Sequence, residues 1–178
     1  EFYYDYIGDY NSALGYYVKV CKIQERVLGE NHPDLAIIYN NIGTAYDSKG
    51  DYFTALEYYD KARNIIELVL DDNHPYLATT YNNIGMAYDS KGDYATALEY
   101  YDKAIKIREQ VLDENHPDLA TTYLSIGFVY DDKDDYTTAL QYYDKARRID
   151  ECVLGENHPD LVKIYHNIGV VYKNKGDY

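Results

Sequence analysis

The feature that most constrains this chain is a period. His-Pro occurs at His32-Pro33, His74-Pro75, His116-Pro117 and His158-Pro159, each 42 residues after the last. Gly-Asp-Tyr keeps the same step at 8–10, 50–52, 92–94 and 176–178, with Asp134-Asp135-Tyr136 in the remaining slot. About 30 of the 42 residues in 50–91 recur in 92–133. A chain built this way stacks its units, each burying its apolar face on the next.

One unit can be read in full. Tyr81, Ile84, Gly85 and Tyr88 stand at i, i+3, i+4 and i+7, one face of a helix. Pro75 suits the first turn, where its missing N–H costs nothing. Gly92 stops this helix A. Asp93 caps the next, helix B. Tyr94, Ala97, Leu98, Tyr101, Ala104, Ile105 and Ile107 carry the helical period of B through Leu112. Asp113-Glu114-Asn115-His116 is a short polar connection. Tight loops make A and B antiparallel neighbours. The expected architecture is an all-α solenoid of helical hairpins, with full repeats at about 33–70, 75–112 and 117–154. A half-repeat precedes them at 1–28 and another follows at 159–178. In the first, Tyr3 and Tyr4 align with Ala45 and Tyr46 near the end of a helix A.

A glycine inside a helix costs about 1 kcal/mol relative to alanine. Gly43, Gly85, Gly127 and Gly169 therefore call for close helix approach, as do the small Ala97 and Ala104. Of the 25 tyrosines, 22 fall in five repeated columns, and four of these columns lie on apolar faces. They read as core rings whose hydroxyls reach water or a carbonyl. The column Tyr16, Tyr58, Tyr100, Tyr142 is less clearly buried and reads as an exposed aromatic ladder.

Tyr81, Ile84, Gly85, Tyr88, Tyr94, Ala97, Tyr101 and Ala104 match the spacing of the tetratricopeptide repeat, and the chain resembles that family along its length. The 42-residue period, the linker Leu-Gly-Glu-Asn-His-Pro-Asp-Leu-Ala at 28–36 and the paired Asn40-Asn41 and Asn82-Asn83 resemble the long-repeat subgroup exemplified by kinesin light chain. That resemblance implies a right-handed superhelix whose helix A groove holds peptide segments of partner proteins. The chain departs from the subgroup in its internal uniformity and in lacking a basic groove.

Helical geometry gives the groove independently. The side of helix A opposite Tyr81, Gly85 and Tyr88 holds Thr79, Asn83, Met86 and Ser90. The equivalent rows are Ile37, Asn41, Thr44, Ser48; Thr121, Ser125, Phe128, Asp132; and Lys163, Asn167, Val170, Asn174. Asn41, Asn83 and Asn167, with Asn82 beside them, can pair with an extended backbone. Met86, Phe128 and Val170 offer an apolar centre for anchor side chains. Asp47, Asp89 and Asp131 line one shoulder, while Lys163, Lys173 and Lys175 make the last unit basic. The expected partner is a peptide with apolar anchors and some basic character. A structural or self-assembling array and a regulatory module of a larger protein are the alternatives.

The net charge of −14 disfavours nucleic acid and anionic membranes as partners. Cys21 and Cys152 occupy different points of the repeat, about three repeats apart, and read as free thiols of a reducing compartment. The cytoplasm is the expected location, since no signal peptide or membrane-length apolar run is evident. The four His-Pro histidines lie about 10 Å or more apart, too far to share one metal, and read as loop and cap devices. No phosphate loop, nucleophile elbow or Cys-x-x-Cys motif occurs. The expectation is no enzyme activity, no cofactor and no metal. The half-repeats at the ends suggest a segment of a longer array, and their uncapped faces predict head-to-tail self-association.

Overall fold

Histidine and aspartate side chains set where the helices of this chain begin. In the computed structural model, which describes residues 10–176, Nδ1 of His32, His74 and His116 accepts a hydrogen bond from the backbone N–H two residues on, at 3.2 Å each. Proline follows at the first helical position in all three. Asp51, Asp93 and Asp135 cap the partner helices by accepting from the N–H of Thr54, Thr96 and Thr138.

Eight helices result among the described residues: α1 (Tyr10–Leu28), α2 (Pro33–Ser48), α3 (Tyr52–Val69), α4 (Pro75–Ser90), α5 (Tyr94–Val111), α6 (Pro117–Asp132), α7 (Tyr136–Leu154) and α8 (Leu161–Lys175). No strand occurs among these residues. The pairs α2–α3, α4–α5 and α6–α7 pack most closely, each pair then packs on the next, and α2, α4 and α6 also touch in series. The fold is an all-α solenoid of helical hairpins with the A helices in one layer and the B helices in the other. The reading of Tyr3 and Tyr4 as the end of a helix A lies outside the described residues.

Each A-to-B turn is closed by a residue with positive φ. Gly50 and Gly92 take φ of 78° and 77°, and Asp134 takes 59° in the slot where glycine is missing. Asp51 N–H then donates back to the Tyr46 carbonyl, Asp93 to Tyr88 and Asp135 to Tyr130, at 2.8–3.0 Å, in the manner of a Schellman turn. Asp134 tolerates the left-handed conformation better than most residues, and its carboxylate accepts from the Tyr136 hydroxyl at 2.7 Å.

The helical glycines have the expected cause in three of four cases. A Cβ on Gly43, Gly85 or Gly127 would stand 2.5–2.7 Å from the rings of Tyr59, Tyr101 and Tyr143. Those three tyrosines are essentially fully buried, with Ala55, Ala62, Ala97, Ala104, Ala139 and Ala146 beside them. Gly169 has no such neighbour: nothing lies within 4 Å of its Cβ position among the described residues.

Two tyrosine expectations need correction. The column expected to be exposed is exposed only at Tyr16. Tyr58, Tyr100 and Tyr142 are half-buried because each stacks on a helix A ring, Tyr46, Tyr88 or Tyr130, at centroid distances of 5.7–5.8 Å. Lys61, Lys103 and Lys145 sit 4.5–4.9 Å from the same rings, a cation–π contact. The hydroxyls of Tyr39, Tyr81, Tyr123 and Tyr165 find a carboxylate where a carbonyl or water was expected: each donates to a glutamate 14 residues earlier, Glu25, Glu67, Glu109 and Glu151.

Candidate functional site

The A-helix layer carries the expected binding surface, and its floor is made by the B-helix tyrosines. Because residue 43 is glycine, the Tyr59 ring passes under α2, and its hydroxyl donates to Thr44 Oγ1 at 3.3 Å. Tyr143 meets Phe128 edge-on, with centroids 5.6 Å apart.

Ile37, Asn41 and Thr44 of α2 face Thr79 and Asn83 of α4 across a depression of about 140 Å³, with Asn40, Ile66 and Tyr76 completing its wall. Exposure of the apolar members is high for such side chains: 37% at Ile37, 42% at Met86 and 43% at Phe128. Thr121 and Lys163 are exposed, and Ser125, Asn167 and Val170 are half-buried. The hydroxyls of Thr44, Thr79, Thr121 and Ser125 donate to carbonyls one turn back on their own helices, so toward a ligand their oxygens act as acceptors, and that of Thr44 already accepts from Tyr59.

Asn82 is not part of that surface. It is 5% exposed, and its Oδ1 accepts from Thr122 Oγ1 of the next unit at 3.0 Å. Arg108, equally buried, donates to the same Thr122 oxygen and to the Asp118 carbonyl. The equivalent contact one unit earlier runs from Asn40 Nδ2 to Thr80 Oγ1 at 2.8 Å. One unit later the pair is Leu124 and Ile164, members of one apolar cluster. Residues 40 positions apart thus change character together, from amide with hydroxyl to aliphatic with aliphatic. That covariation is readable in the repeats themselves, yet reading helix A alone misses it.

The acidic shoulder is less solvated than helix-end carboxylates usually are. Asp47, Asp89 and Asp131 are half-buried, and Asp47 and Asp89 each hold a buried Oδ1 without a hydrogen-bond partner among the described residues. Burial raises the pKa of all three, and for Asp89, with Asp132 adding charge repulsion, to about 6. The Tyr59 hydroxyl is pushed up to about 12, mainly by burial. Tyr101 and Tyr143 shift the same way, chiefly by burial and then by nearby aspartates, Asp89 for the first and Asp131 for the second. The surface is therefore acidic, floored by aromatic rings and studded with exposed apolar side chains.

No group of three or more metal-ligating side chains comes together among the described residues, and no helix there is long and apolar enough to cross a membrane. Cys21 is buried and Cys152 exposed, both as free thiols.

A family model described as tetratricopeptide repeat matches residues 2–52, 48–110, 90–151 and 118–178. Among curated proteins none matches the chain by sequence. Among solved structures, BtubC (BKLC) from P. vanneervenii is similar over 96% of this chain and 68% of its own, at 26% identity and a TM-score of 0.83. A Podosopora anserina candidate kinesin light chain with nearly identical TPR-like repeats aligns over 95% of this chain and 80% of its own, at 21% identity and a TM-score of 0.76. MamA aligns over the same shares at 24% identity and a TM-score of 0.62, and at these identities the last two likenesses are of fold alone. With the family model covering nearly every residue, the chain belongs to the tetratricopeptide repeat family and, within it, resembles kinesin light chain.

Proposed function

We propose that this chain, a protein-interaction scaffold by its repeats, holds on its A-helix surface an extended peptide segment of a partner protein, basic in character and anchored by apolar side chains. The observation that carries this reading is the line of exposed Ile37, Met86 and Phe128 beside the half-buried Asp47, Asp89 and Asp131. An apolar anchor fits the first set and a lysine or arginine neighbours the second. Asn41, Asn83 and Asn167 supply paired donor and acceptor groups for the peptide backbone, and Thr44, Thr79, Thr121 and Ser125 supply acceptors. Val170 and Lys163 extend the row onto α8.

A peptide-library pull-down with the whole chain tests the proposal. Enriched sequences should combine basic and large apolar residues, and Asn83→Ala with Phe128→Ala should abolish their capture while leaving the melting temperature unchanged. Enrichment of acidic peptides, or capture that survives both substitutions, refutes it.

A further inference from the structure

The B-helix side of the solenoid carries a second repeated device, and one copy of it lacks a part. In α3 the sequence positions 60, 63 and 67 are Asp, Arg and Glu, and in α7 the equivalents 144, 147 and 151 are again Asp, Arg and Glu. Arg63 bridges Asp60 at 3.2 Å and Glu67 at 3.6 Å and donates to the Tyr100 hydroxyl at 3.4 Å. Arg147 bridges Asp144 at 2.5 Å and Glu151 at 2.7 Å, with the Tyr165 hydroxyl donating to that same glutamate. Arg63 thus reaches the following unit through Tyr100, and Arg147 lines an opening of about 330 Å³ together with Leu140, Tyr165, Ile168 and Tyr172.

In α5 the two acids are present as Asp102 and Glu109, but residue 105 between them is isoleucine. Ile105 is buried and cannot reach them as arginine does. The cleft between α5, α6 and α7 has a volume of about 370 Å³, an apolar floor of Leu98, Ile105 and Ile126, and walls that include Tyr123, Tyr142, Asp102, Glu109 and Lys106.

We propose that this cleft takes the guanidinium of an arginine side chain from a partner protein, which binds Asp102 and Glu109 as Arg63 and Arg147 bind their own pairs of acids. The carboxylates retain the needed capacity. Glu109 accepts from the Tyr123 hydroxyl through Oε1, as Glu151 accepts from Tyr165 while also binding Arg147. Asp102 binds the exposed Lys106 through Oδ2 at 2.6 Å. Asp144 carries a similar neighbour, Arg148, on Oδ2 and still holds Arg147 on Oδ1. Lys145 lies over the Tyr123 and Tyr142 rings, just as Lys103 lies over Tyr81 and Tyr100 beside a bound Arg63, so it does not close the site. A planar fork that reaches two carboxylates at once, with aromatic faces alongside, suits arginine better than lysine.

The test is nuclear magnetic resonance titration of the full chain at physiological salt with the capped tripeptide Gly-Arg-Gly and its lysine counterpart. The expected result is saturable, millimolar binding of the arginine peptide, with shifts confined to α5–α7 and at least threefold weaker binding of the lysine peptide. Ile105→Arg should abolish those shifts by occupying both carboxylates from within the chain, as Arg147 does. Glu109→Gln, which leaves Ile105 in place, should weaken binding at least threefold and tests the site even if the first variant folds poorly. Shifts that spread over the acidic surface without saturating, or binding unchanged in either variant, overturn the proposal. Asn83→Ala and Phe128→Ala should leave this binding intact, which separates it from the A-helix surface.

Discussion

Replacing Gly85 with alanine adds one methyl group where the structure leaves no room for it. The new Cβ would sit 2.7 Å from Cδ1 and Cε1 of Tyr101. Tyr101 is fully buried, so its ring cannot swing aside without displacing α5. Overpacking of this kind costs about 1–3 kcal/mol, and a clash with a rigid ring belongs at the upper end. Alanine recovers about 1 kcal/mol of helix propensity. The net expectation is a loss of about 2 kcal/mol. Gly169→Ala is the control within the same chain, because its Cβ meets nothing within 4 Å. That variant should gain the propensity alone, about 1 kcal/mol, which puts the two substitutions about 3 kcal/mol apart. Urea unfolding followed by helical circular dichroism measures both. Adding Tyr101→Leu to Gly85→Ala should show a favourable coupling, since the shorter side chain vacates the contact. A Gly85→Ala protein as stable as the parent, or equal losses at both positions, would refute the close-packing argument.

Three further outcomes follow from particular contacts. Asp134→Gly should stabilise the chain by about 0.5–1 kcal/mol, because the turn needs positive φ; thermal melts check this, and destabilisation would mean that the Tyr136 hydrogen bond dominates. Asp89 keeps its proton to about 6 in the folded chain against 3.8 for a free side chain. The folded state therefore binds that proton more tightly, so stability should fall by about 1 kcal/mol as pH rises through that window; unfolding curves across it should show a shallower slope in Asp89→Asn, with Asp47 and Asp131 supplying what remains. Asn40→Ala should cost about 1 kcal/mol by removing the bond to Thr80, whereas Asn40→Leu with Thr80→Ile, which copies Leu124 and Ile164, should recover most of it in chemical denaturation. A double variant no better than Asn40→Ala would argue against interchangeable junctions.

Much of this structure is legible in the repeats because copies average away local ambiguity. Four histidines before four prolines mark helix starts more firmly than one could, and the capping bonds at His32, His74 and His116 match. The glycine-to-tyrosine packing follows from small residues at fixed places. The exposed row through Ile37, Met86 and Phe128 follows from helical angle alone. Asn82 was misread because a single helix wheel places it at the groove's edge, and only the next unit, with Thr122 and Arg108, covers it. Asp89 was placed on the groove's shoulder, but its half-burial does not show in helix A alone. The stacked Tyr88–Tyr100 pairs depend on which faces of A and B meet, and this spacing within one helix cannot disclose. What sequence reading lost lies at contacts between elements.

The matched pairs 40 residues apart bear on how such an array can change in copy number. Excising residues 75–116 would bring Asn40 opposite Thr122, and the new junction would again join an amide to a hydroxyl. Excising 117–158 would instead set Asn82 against Ile164, taking from the buried amide its hydroxyl donor and leaving the Arg108 guanidinium only the backbone carbonyl that replaces that of Asp118. A mismatch of that kind costs about 1–3 kcal/mol for each buried group left unpaired. Near-identical units invite slippage and unequal exchange, and here the chemistry of the seam decides which products survive. One kind of deletion is silent and the other is not, so the order of units is protected by their junctions as well as by their surfaces.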